Sequence, residues 1–394
     1  MNDLRLILSI DGAEPGERDL HALLFSASDA FTPVDSLAED PALLIFTSGT
    51  TGPPKGALHA HRTLLGHFSG VQFMHDFFPK AGDRFWTPAD WAWAGGLLDV
   101  LLPSLALGKS VLIYRGRKFD PEDTYRLLAD HEVRNSFLPP TALKLMRQVE
   151  RPHERWNFAL RPIFTGGEAM GAELIDWGQE TFSFTINEGY GQTECNLVVG
   201  NCDSIMAARP GSMGKPVPGH DVTIIDEHGD VLPPGVTGSI AVRAPDPVMF
   251  LSYWGNPEAT ADKFFGDWLL TGDIGQTDED GYIWFLGRDD DVITSAGYRI
   301  GPSEIEDCLM SHPAVLLAAA IGKPDPIRKE IIKAFIVPND GVEPDDTLTE
   351  EIRAHVRNRL SAHEYLREIE FVDSLPMTAT GKIIRRELRA RETQ

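Results

Sequence analysis

The chain has 394 residues, of which 36 are basic and 59 acidic, so its formal net charge is −23. This length predicts two or three domains. The acidity argues against nucleic acid as a general partner but is compatible with a small anionic ligand. Three cysteines without zinc-like spacing exclude a disulfide framework and favour a reducing, cytoplasmic setting. The most apolar stretch, residues 97–107, is broken by Asp99 and Pro103 and is too short to span a membrane.

The strongest local signal lies in residues 43–56. Leu43 to Phe46 are typical of a short buried strand, and a loop rich in glycine and hydroxyl side chains follows. Such loops let backbone N–H groups wrap phosphate oxygens, and a lysine adds charge. Gly56 stands where a Walker A motif has Ser or Thr, which indicates a phosphate loop of another kind, with a plain turn as the alternative. The residues expected to hold phosphate are Thr47, Ser48, Gly49, Thr50, Thr51, Gly52 and Lys55.

Residues 58–78 have apolar side chains at roughly helical spacing, so we expect the loop to lead into a helix. His59, His61 and His67 lie in this stretch. No carboxylate stands at a spacing that suggests a catalytic triad or a metal site, so we interpret these histidines as structural or surface residues.

An aromatic segment over residues 85–98 holds three of the eight tryptophans and two adjacent glycines. Aromatic walls with small residues between them suit an apolar ligand pocket, with Trp93 and Gly95 as candidates. An ordinary packed core is an equally good interpretation.

Strands and helices then alternate, which predicts an α/β sheet with helical crossovers and a ligand site at the carboxyl ends of its strands. The predicted elements are the strands 110–114, 135–138 and 160–164 and the helices 121–131, 141–149 and 172–177.

Two segments follow predicted strands in this region. Thr165–Glu168 is glycine-rich, and Asn187–Glu194 comes after the alternating apolar residues Phe182, Phe184 and Ile186. The second segment offers an aromatic face, a hydroxyl and a carboxylate. These groups can stack on a base, donate to phosphate and bind magnesium, respectively.

From residue 210 to 280 short strands alternate with Gly and Pro, which predicts a small antiparallel or barrel-like subdomain. In it, Thr271-Gly272-Asp273 places a carboxylate that could accept both hydroxyls of a ribose, although a surface turn is the alternative. The charged run 287–291 then resembles a domain junction.

The remaining residues have an α/β pattern of their own, with predicted helices over 302–311 and 349–360 and strands over 315–321, 333–338 and 368–372. The tail 382–391 has five basic residues and one acidic residue. A solvated helix face is the usual meaning of such a run, but Lys382 also stands on a predicted exposed turn from which it could reach phosphate.

Together these segments resemble the AMP-forming acyl-CoA synthetases of the adenylate-forming superfamily. The resemblance extends from about residue 35 to the end of the chain. The matching segments are 47–56, 166–168, 190–194, 271–273, 287–306 and 376–386.

The resemblance implies an α/β fold with a large N-terminal lobe over residues 1–289, including a β-barrel-like subdomain at about 210–286. A small mobile α+β domain, residues 290–394, would carry the lysine. Only 46 residues precede Thr47, so we expect the lobe to be incomplete at its N-terminus.

The resemblance also implies two half-reactions, in which a carboxylic acid reacts with ATP to give acyl-AMP and pyrophosphate and CoA then displaces AMP. Thr193 would contact the α-phosphate and Glu194 would bind Mg²⁺. The residues implied around the adenosine are Gly167, Glu168, Tyr190, Gly191, Gln192, Asp273 and Arg288.

The implied C-terminal domain rotates between half-reactions about a hinge at Asp290. Lys382 would bridge the carboxylate and α-phosphate in the first step. In the second conformation Arg299 would contact phosphate, and the pantetheine arm of CoA would pass Gly297. A lysine on a mobile lid suits a reaction in which its positive charge is needed in only one of the two steps.

Acetyl-specific members of the family have a tryptophan where this chain has Gly191. We therefore predict an acyl pocket formed by Trp93, Gly95 and Gly191, and medium-chain or aromatic acids as better substrates than acetate. The alternatives are a ligase that loads a carrier protein and a shortened nucleotide-binding homologue with impaired catalysis.

Overall fold

A computed structural model describes residues 6–47, 54–114, 116, 118–167, 170–295, 298–339, 341–377 and 383–392, apart from the side chains of residues 172, 173 and 299. The chain separates into two compact units, Met1–Ala38 and Glu39–Gln394. The first unit contains the short parallel strands β1 (Leu8–Ser9) and β2 (Arg18–Asp19) and helix α1 (Leu20–Ser26). Asp19 caps this helix by accepting a hydrogen bond from Ala22 N at 2.9 Å.

The second unit contains three sheets. Its strands are β3 (Pro41–Thr47), β4 (Lys55–Ala60), β5 (Arg84–Trp86), β6 (Ser110–Val111), β7 (Asn135–Phe137), β8 (Ile163–Gly166), β9 (Asn187–Gln192), β10 (Cys195–Gly200), β11 (Ser212–Pro216), β12 (Val222–Ile225), β13 (Gly238–Arg243), β14 (Ser252–Tyr253), β15 (Phe264–Phe265), β16 (Trp268–Thr277), β17 (Ile283–Arg288), β18 (Ile293–Ser295), β19 (Tyr298–Ile300), β20 (Val315–Asp325), β21 (Lys329–Pro338) and β22 (Glu368–Phe371).

Helices cover or connect these sheets. They are α2 (Arg62–Met74), α3 (Ala94–Gly96), α4 (Leu102–Ala106), α5 (Pro121–Asp130), α6 (Pro140–Met146), α7 (Pro152–Arg155), α8 (Ala172–Phe182), α9 (Pro257–Ala261), α10 (Pro302–Met310), α11 (Asp346–Arg359) and α12 (Arg385–Glu392), with a π-helical turn at Leu97–Leu101 and a 3₁₀ turn at Ala362–Glu364. None of the helices in the described ranges is long and apolar enough to cross a membrane.

The largest sheet joins a parallel half to an antiparallel half. Its order is β12-β13-β16-β17-β11-β10-β9-β8-β7-β5-β6, with β15 on β16. Strands β5 to β9 pair in parallel, whereas β9 with β10 and every pair beyond it are antiparallel. The seam between the two halves is therefore the pair β9–β10.

The antiparallel half contains the region 210–286, for which an antiparallel or barrel-like subdomain was predicted, and its strands are antiparallel. Strand β11 pairs with β10 on one side and with β17 on the other, so the short strands of this region continue the large sheet. Their Gly/Pro punctuation is the same in a closed barrel and in an open sheet, because both have short antiparallel strands.

The predicted phosphate loop lies in a hairpin. After the loop the chain returns as β4, antiparallel to β3, with Thr47 opposite Lys55, and only then enters α2. The helix predicted within residues 58–78 is therefore present as α2, and residues 58–60 belong instead to β4. β14 pairs with the far side of β4, which gives the sheet order β14-β4-β3.

The C-terminal sheet is buried on both faces, which explains its long apolar strands. Along β20, Ala318 and Ala320 pack against one core that includes residues of α10 and α11. The intervening Ala319 and Ile321 pack on the opposite face with Leu388 of α12. This two-residue alternation follows from the pleat of a strand.

The predicted boundary at 289/290 falls between the last strand of the large sheet, β17, and the first strand of the C-terminal sheet, β18. The compact units divide the chain differently, because residues 39–394 form one unit. The division into a lobe and a separate lid domain therefore stays a prediction.

Arg385 ties helix α12 to the start of the C-terminal sheet. Its Nη2 and Nε lie 2.6 and 3.1 Å from the carboxylate of Glu306, and its Nη1 lies 3.3 Å from Asp291. Glu306 is buried, and burial raises its pKa although Arg385 acts in the opposite direction. The guanidinium therefore stabilises a carboxylate that would otherwise be buried without a counter-charge.

Replacing Arg385 with Ala should lower the free energy of unfolding by about 3 kcal/mol, because Glu306 would lose its buried partner. Chemical denaturation followed by circular dichroism measures this change. Adding Glu306→Gln should restore part of the loss, since the double variant has no uncompensated charge.

The matched control is Arg126→Ala, which breaks the exposed Arg126–Asp123 pair on α5 and should leave stability close to that of the wild type. Equal stabilities of the Arg385→Ala and Arg126→Ala variants would contradict the role given to Arg385.

Candidate active site

The seam of the large sheet brings together several of the residues singled out in the sequence. Strand β9 ends at Gln192 and β10 begins at Cys195, so Thr193 and Glu194 form the turn between them. The pairing of β16 with β17 sets Asp273 directly opposite Arg288. These side chains therefore come from two hairpins of one sheet.

Asp273 is a buried carboxylate whose partners include Tyr190 and Arg288. Tyr190 Oη donates a hydrogen bond to Asp273 Oδ2 at 2.5 Å, and Arg288 Nη1 lies 3.5 Å from Asp273 Oδ1. Burial, together with the Asp273 charge, raises the pKa of the Tyr190 phenol well above its usual range. Tyr190 therefore stays a hydrogen-bond donor at neutral pH, and the geometry supports the grouping of these three residues.

Glu194 is held by a residue that the sequence did not point to. The phenol of Tyr253, on β14, donates to Glu194 Oε1, and Lys55 Nζ lies 5.1 Å from the centre of the Tyr253 ring. Thr47 Oγ1 lies 3.4 Å from Lys55 O across the β3–β4 hairpin. Tyr253 thus connects the base of the phosphate loop to the candidate magnesium ligand. The contact joins positions 59 residues apart, so no local pattern could reveal it.

Gln192 links the two hairpins through its side-chain amide. Its Nε2 donates to Thr271 O at 3.0 Å, and its Oε1 accepts from Lys263 Nζ at 3.0 Å. Lys263 is a second residue missed by the sequence analysis, because it lies outside every segment of the family resemblance.

The aromatic segment 85–98 and the glycine-rich segment that contains Gly167 come together at Trp93. A Cβ atom built on Gly95 would lie 3.0 Å from the Trp93 ring, and one built on Gly167 would lie 3.4 Å from it. Gly167 also has a φ of +90°, a conformation that favours glycine. The Phe137 ring centre is 5.5 Å from that of Trp93. Small residues on both sides of Trp93 therefore let its ring lie close to the backbone.

Gly191 lies against the backbone of β10. A Cβ built there would be 2.2 Å from Leu197 N and 2.7 Å from Asn196 Cα. The glycine is therefore required by the close approach of β9 and β10. Its place in the acyl pocket stays a prediction.

Glu188 holds the backbone of Met170. Its buried carboxyl accepts a hydrogen bond from Met170 N at 3.3 Å, and burial raises its pKa to about 8. The carboxyl is therefore largely protonated at neutral pH and makes this contact without placing a full charge in the interior.

Two of the three histidines near the phosphate loop are interior residues. His59 and His67 are buried, and burial lowers the pKa of each to about 4, whereas His61 is exposed. His75 is buried among phenylalanine rings, and burial lowers its pKa to about 3. Among the residues that the structure describes, no group of three or more His, Cys, Asp or Glu side chains is arranged to hold a metal ion.

Arg288 also reaches the predicted hinge, since its Nε lies 3.2 Å from Asp290 Oδ1. The other predicted site positions, Ser48, Gly49, Thr50, Thr51, Gly52, Glu168, Gly297 and Lys382, lie outside the described residues, as does the side chain of Arg299. Their roles stay predictions.

Replacing Gly191 with Ala should destabilise the protein by about 3 kcal/mol, because the added methyl group meets backbone atoms that cannot rotate away. Thermal and chemical denaturation measure the loss. The control is Gly266→Ala, where φ is +56° but no atom lies within 4 Å of the added Cβ, so only about 1 kcal/mol of backbone strain is expected. A stable Gly191→Trp variant that favours acetate would instead show that space exists beside residue 191.

Comparisons with known proteins agree with this arrangement. The family described as "AMP-binding enzyme" matches residues 3–254, and the "AMP-binding enzyme C-terminal domain" matches residues 304–382. An uncharacterized acyl–CoA ligase, YtcI, of Bacillus subtilis is 39% identical over 393 residues, covering 100% of this chain and 73% of that protein. Acetyl-coenzyme A synthetase of the same organism is 40% identical over 358 residues, covering 90% of this chain and 62% of that protein.

A solved structure shows the same fold. The anthranilate CoA ligase AuaEII in complex with anthranoyl-AMP has a TM-score of 0.87 and 31% identity, covering 98% of this chain and 73% of that one. The chain thus spans roughly two thirds to three quarters of the length of these three proteins. By the extent of the first family match and by its similarity to YtcI, the chain belongs to the AMP-binding enzyme family of adenylate-forming enzymes.

Proposed function

We propose that this protein uses ATP to convert a carboxylic acid to an acyl-adenylate and then to an acyl-CoA thioester. In the first step a carboxylate oxygen attacks the α-phosphorus of ATP and pyrophosphate leaves. In the second step the CoA sulfur attacks the acyl carbonyl and AMP leaves. The observation that carries the proposal is the Asp273 carboxylate, held by Tyr190 and Arg288 on the hairpin next to the Thr193–Glu194 turn.

Asp273 suits the ribose of the nucleotide. An ionised carboxylate is an acceptor with two oxygens, so it can accept hydrogen bonds from both ribose hydroxyls. Its buried position between a phenol and a guanidinium orients it before the nucleotide binds. Tyr190, which contacts the same carboxylate, is the residue proposed to lie against the adenine.

Glu194 suits a magnesium ion bound together with the phosphates. Mg²⁺ usually takes one or two protein carboxylates and completes its coordination with water and substrate phosphate oxygens. Tyr253 donates to one oxygen of Glu194, which orients the carboxylate and leaves its second oxygen for the ion. The residues present therefore fit magnesium, which when bound would neutralise phosphate charge.

The protein's main task in the first step is to hold two anions in line. A carboxylate and a triphosphate repel each other, so positioning and local positive charge supply most of the catalysis. Lys55 lies at the base of the phosphate loop, and we propose that Thr47 to Lys55 hold the β- and γ-phosphates. Lys382 would supply the charge beside the α-phosphate and leave with the C-terminal domain before CoA enters.

The acid is proposed to be a medium-chain fatty acid or an aromatic acid. The partly exposed ring of Trp93, which packs on the buried Phe137, offers aromatic surface next to Gly167, and Gly167 lies beside the proposed adenine site. The solved structure of the ligase AuaEII, which carries anthranoyl-AMP, shows that this fold accepts an aromatic acyl group in a related protein. We propose a cytoplasmic setting, as for an enzyme with three free buried cysteines in the described residues.

ATP–pyrophosphate exchange on this chain should depend on an added acid, and hexanoate, octanoate or benzoate should support it better than acetate. The physical reason is that longer or aromatic acids bury more apolar surface against the aromatic wall. Parallel thioester assays with CoA and with a carrier protein identify the acceptor. If exchange is fastest with acetate, the proposed class of acid is wrong. If none of the acids supports exchange, the proposed reaction itself is wrong.

Replacing Lys382 with Ala should reduce adenylate formation by at least about 100-fold, because a charge opposite the developing phosphate charge is lost. Formation of acyl-CoA from preformed acyl-adenylate should change little. The two half-reactions are measured separately by pyrophosphate release and by thioester formation.

The control for this variant is Arg391→Ala, which removes an exposed positive charge from the same tail and should leave both half-reactions unchanged. Equal losses in both half-reactions of the Lys382→Ala variant would mean that the lysine does not act in the first step alone.

A further inference from the structure

Lys263 is a half-buried lysine that none of the sequence motifs includes, and it stands between the two hairpins of the candidate site. It lies just before β15, and its backbone carbonyl accepts from Leu270 N at 2.7 Å. The side chain then turns back toward the hairpin that carries Asp273. The residue is thus fixed at the backbone before its side chain makes any contact.

The Lys263 ammonium has a full set of protein acceptors. Its Nζ lies 3.0 Å from Gln192 Oε1, 3.0 Å from Leu270 O and 3.2 Å from Thr271 O. An ammonium group has three N–H donors, so these three acceptors can use all of them. A lysine saturated in this way holds protein groups together and is not free to bind a ligand directly.

The acceptors belong to the two segments that the nucleotide must contact at once. Gln192 immediately precedes the Thr193–Glu194 turn, and Leu270 and Thr271 immediately precede Gly272 and Asp273. Gln192 Nε2 also donates to Thr271 O, so the lysine and the amide form a closed bridge between the hairpins.

The charges around the ammonium agree with these contacts. Burial lowers the pKa of Lys263, whereas the carboxylates of Glu194 and Asp273 act in the opposite direction. Arg288 and Lys55 also act on the ammonium and lower its pKa. The ammonium therefore interacts with both the carboxylate proposed for the ribose and the one proposed for magnesium.

We propose that Lys263 is a positioning residue that sets the distance between the ribose contact at Asp273 and the phosphate contacts at Thr193 and Glu194. This inference rests on the proposed function. The ribose and α-phosphate of a nucleotide are joined by a short covalent link, so the two protein contacts must keep one spacing in ATP, acyl-AMP and AMP alike. CoA and the acid lack this link and do not need the bridge.

The test compares Lys263→Met with the wild type. Methionine keeps much of the volume but removes the donors, so the KM for ATP should rise about 30-fold, within the range that follows misplacement of a substrate by about 1 Å. The kcat at saturating ATP and the KM values for the acid and for CoA should each change less than about threefold, because their contacts do not pass through the bridge. Lys263→Arg keeps donors and charge and should recover part of the lost affinity for ATP.

Two further variants keep the test decisive. Gln192→Leu breaks the same bridge from the other side and should raise the KM for ATP in the same way. It takes the place of Lys263→Met in the test if that variant does not fold. Lys215→Met is the matched control, because Lys215 lies on the same sheet over the ring of Tyr282 and should leave every kinetic constant unchanged. A KM for ATP within threefold of the wild type, or an equal rise in the KM for the acid, would overturn the proposal.

A binding measurement separates this inference from the proposed reaction. Mg-ATP should raise the Tm of the wild type and of Lys215→Met, and should raise that of Lys263→Met much less at the same concentration. If the wild type shows this rise but no exchange with any acid, the reaction is wrong and the positioning role stands. If exchange occurs and ATP raises both Tm values equally, the positioning role is wrong and the reaction stands.

Discussion

The site depends on one shared carboxylate, that of Asp273. Its partners Tyr190 and Arg288 come from different parts of the large sheet, since Tyr190 lies on β9 at the seam and Arg288 lies on β17 in the antiparallel half. Parallel strands bring loops to one edge of a sheet, and ligands of open α/β folds bind at such edges. The antiparallel half adds a second set of side chains to that edge. A two-part ligand such as a nucleotide can therefore touch both halves at once.

Much of the fold could be predicted because its signals are local. The alternation of strands and helices over residues 110–182 is confirmed. The grouping of Tyr190 with Asp273 followed from the family resemblance. Tyr253 and Lys263 could not be predicted in the same way, because each contacts a residue 59 or 71 positions away and neither belongs to a distinctive segment.

Local pattern leaves long-range pairing undetermined. The strands of the region 210–286 are antiparallel, which was one of the two arrangements predicted, but their pattern did not indicate that β11 pairs with β10 and extends the large sheet. Nor did it indicate that the backbone of Asn196 and Leu197 approaches Gly191. In both cases the deciding contact is between main chains, and the identity of the side chains carries little information about it.

The buried histidines make the interior of this protein sensitive to acid. In an unfolded chain a histidine takes up a proton near pH 6.5, whereas His59 and His67 stay neutral down to about pH 4 and His75 to about pH 3. Protons therefore bind the unfolded chain preferentially between these values. The stability that these neutral imidazoles contribute is complete above pH 6.5 and is lost as the pH falls toward 4, so over this range each of the three histidines favours the unfolded chain.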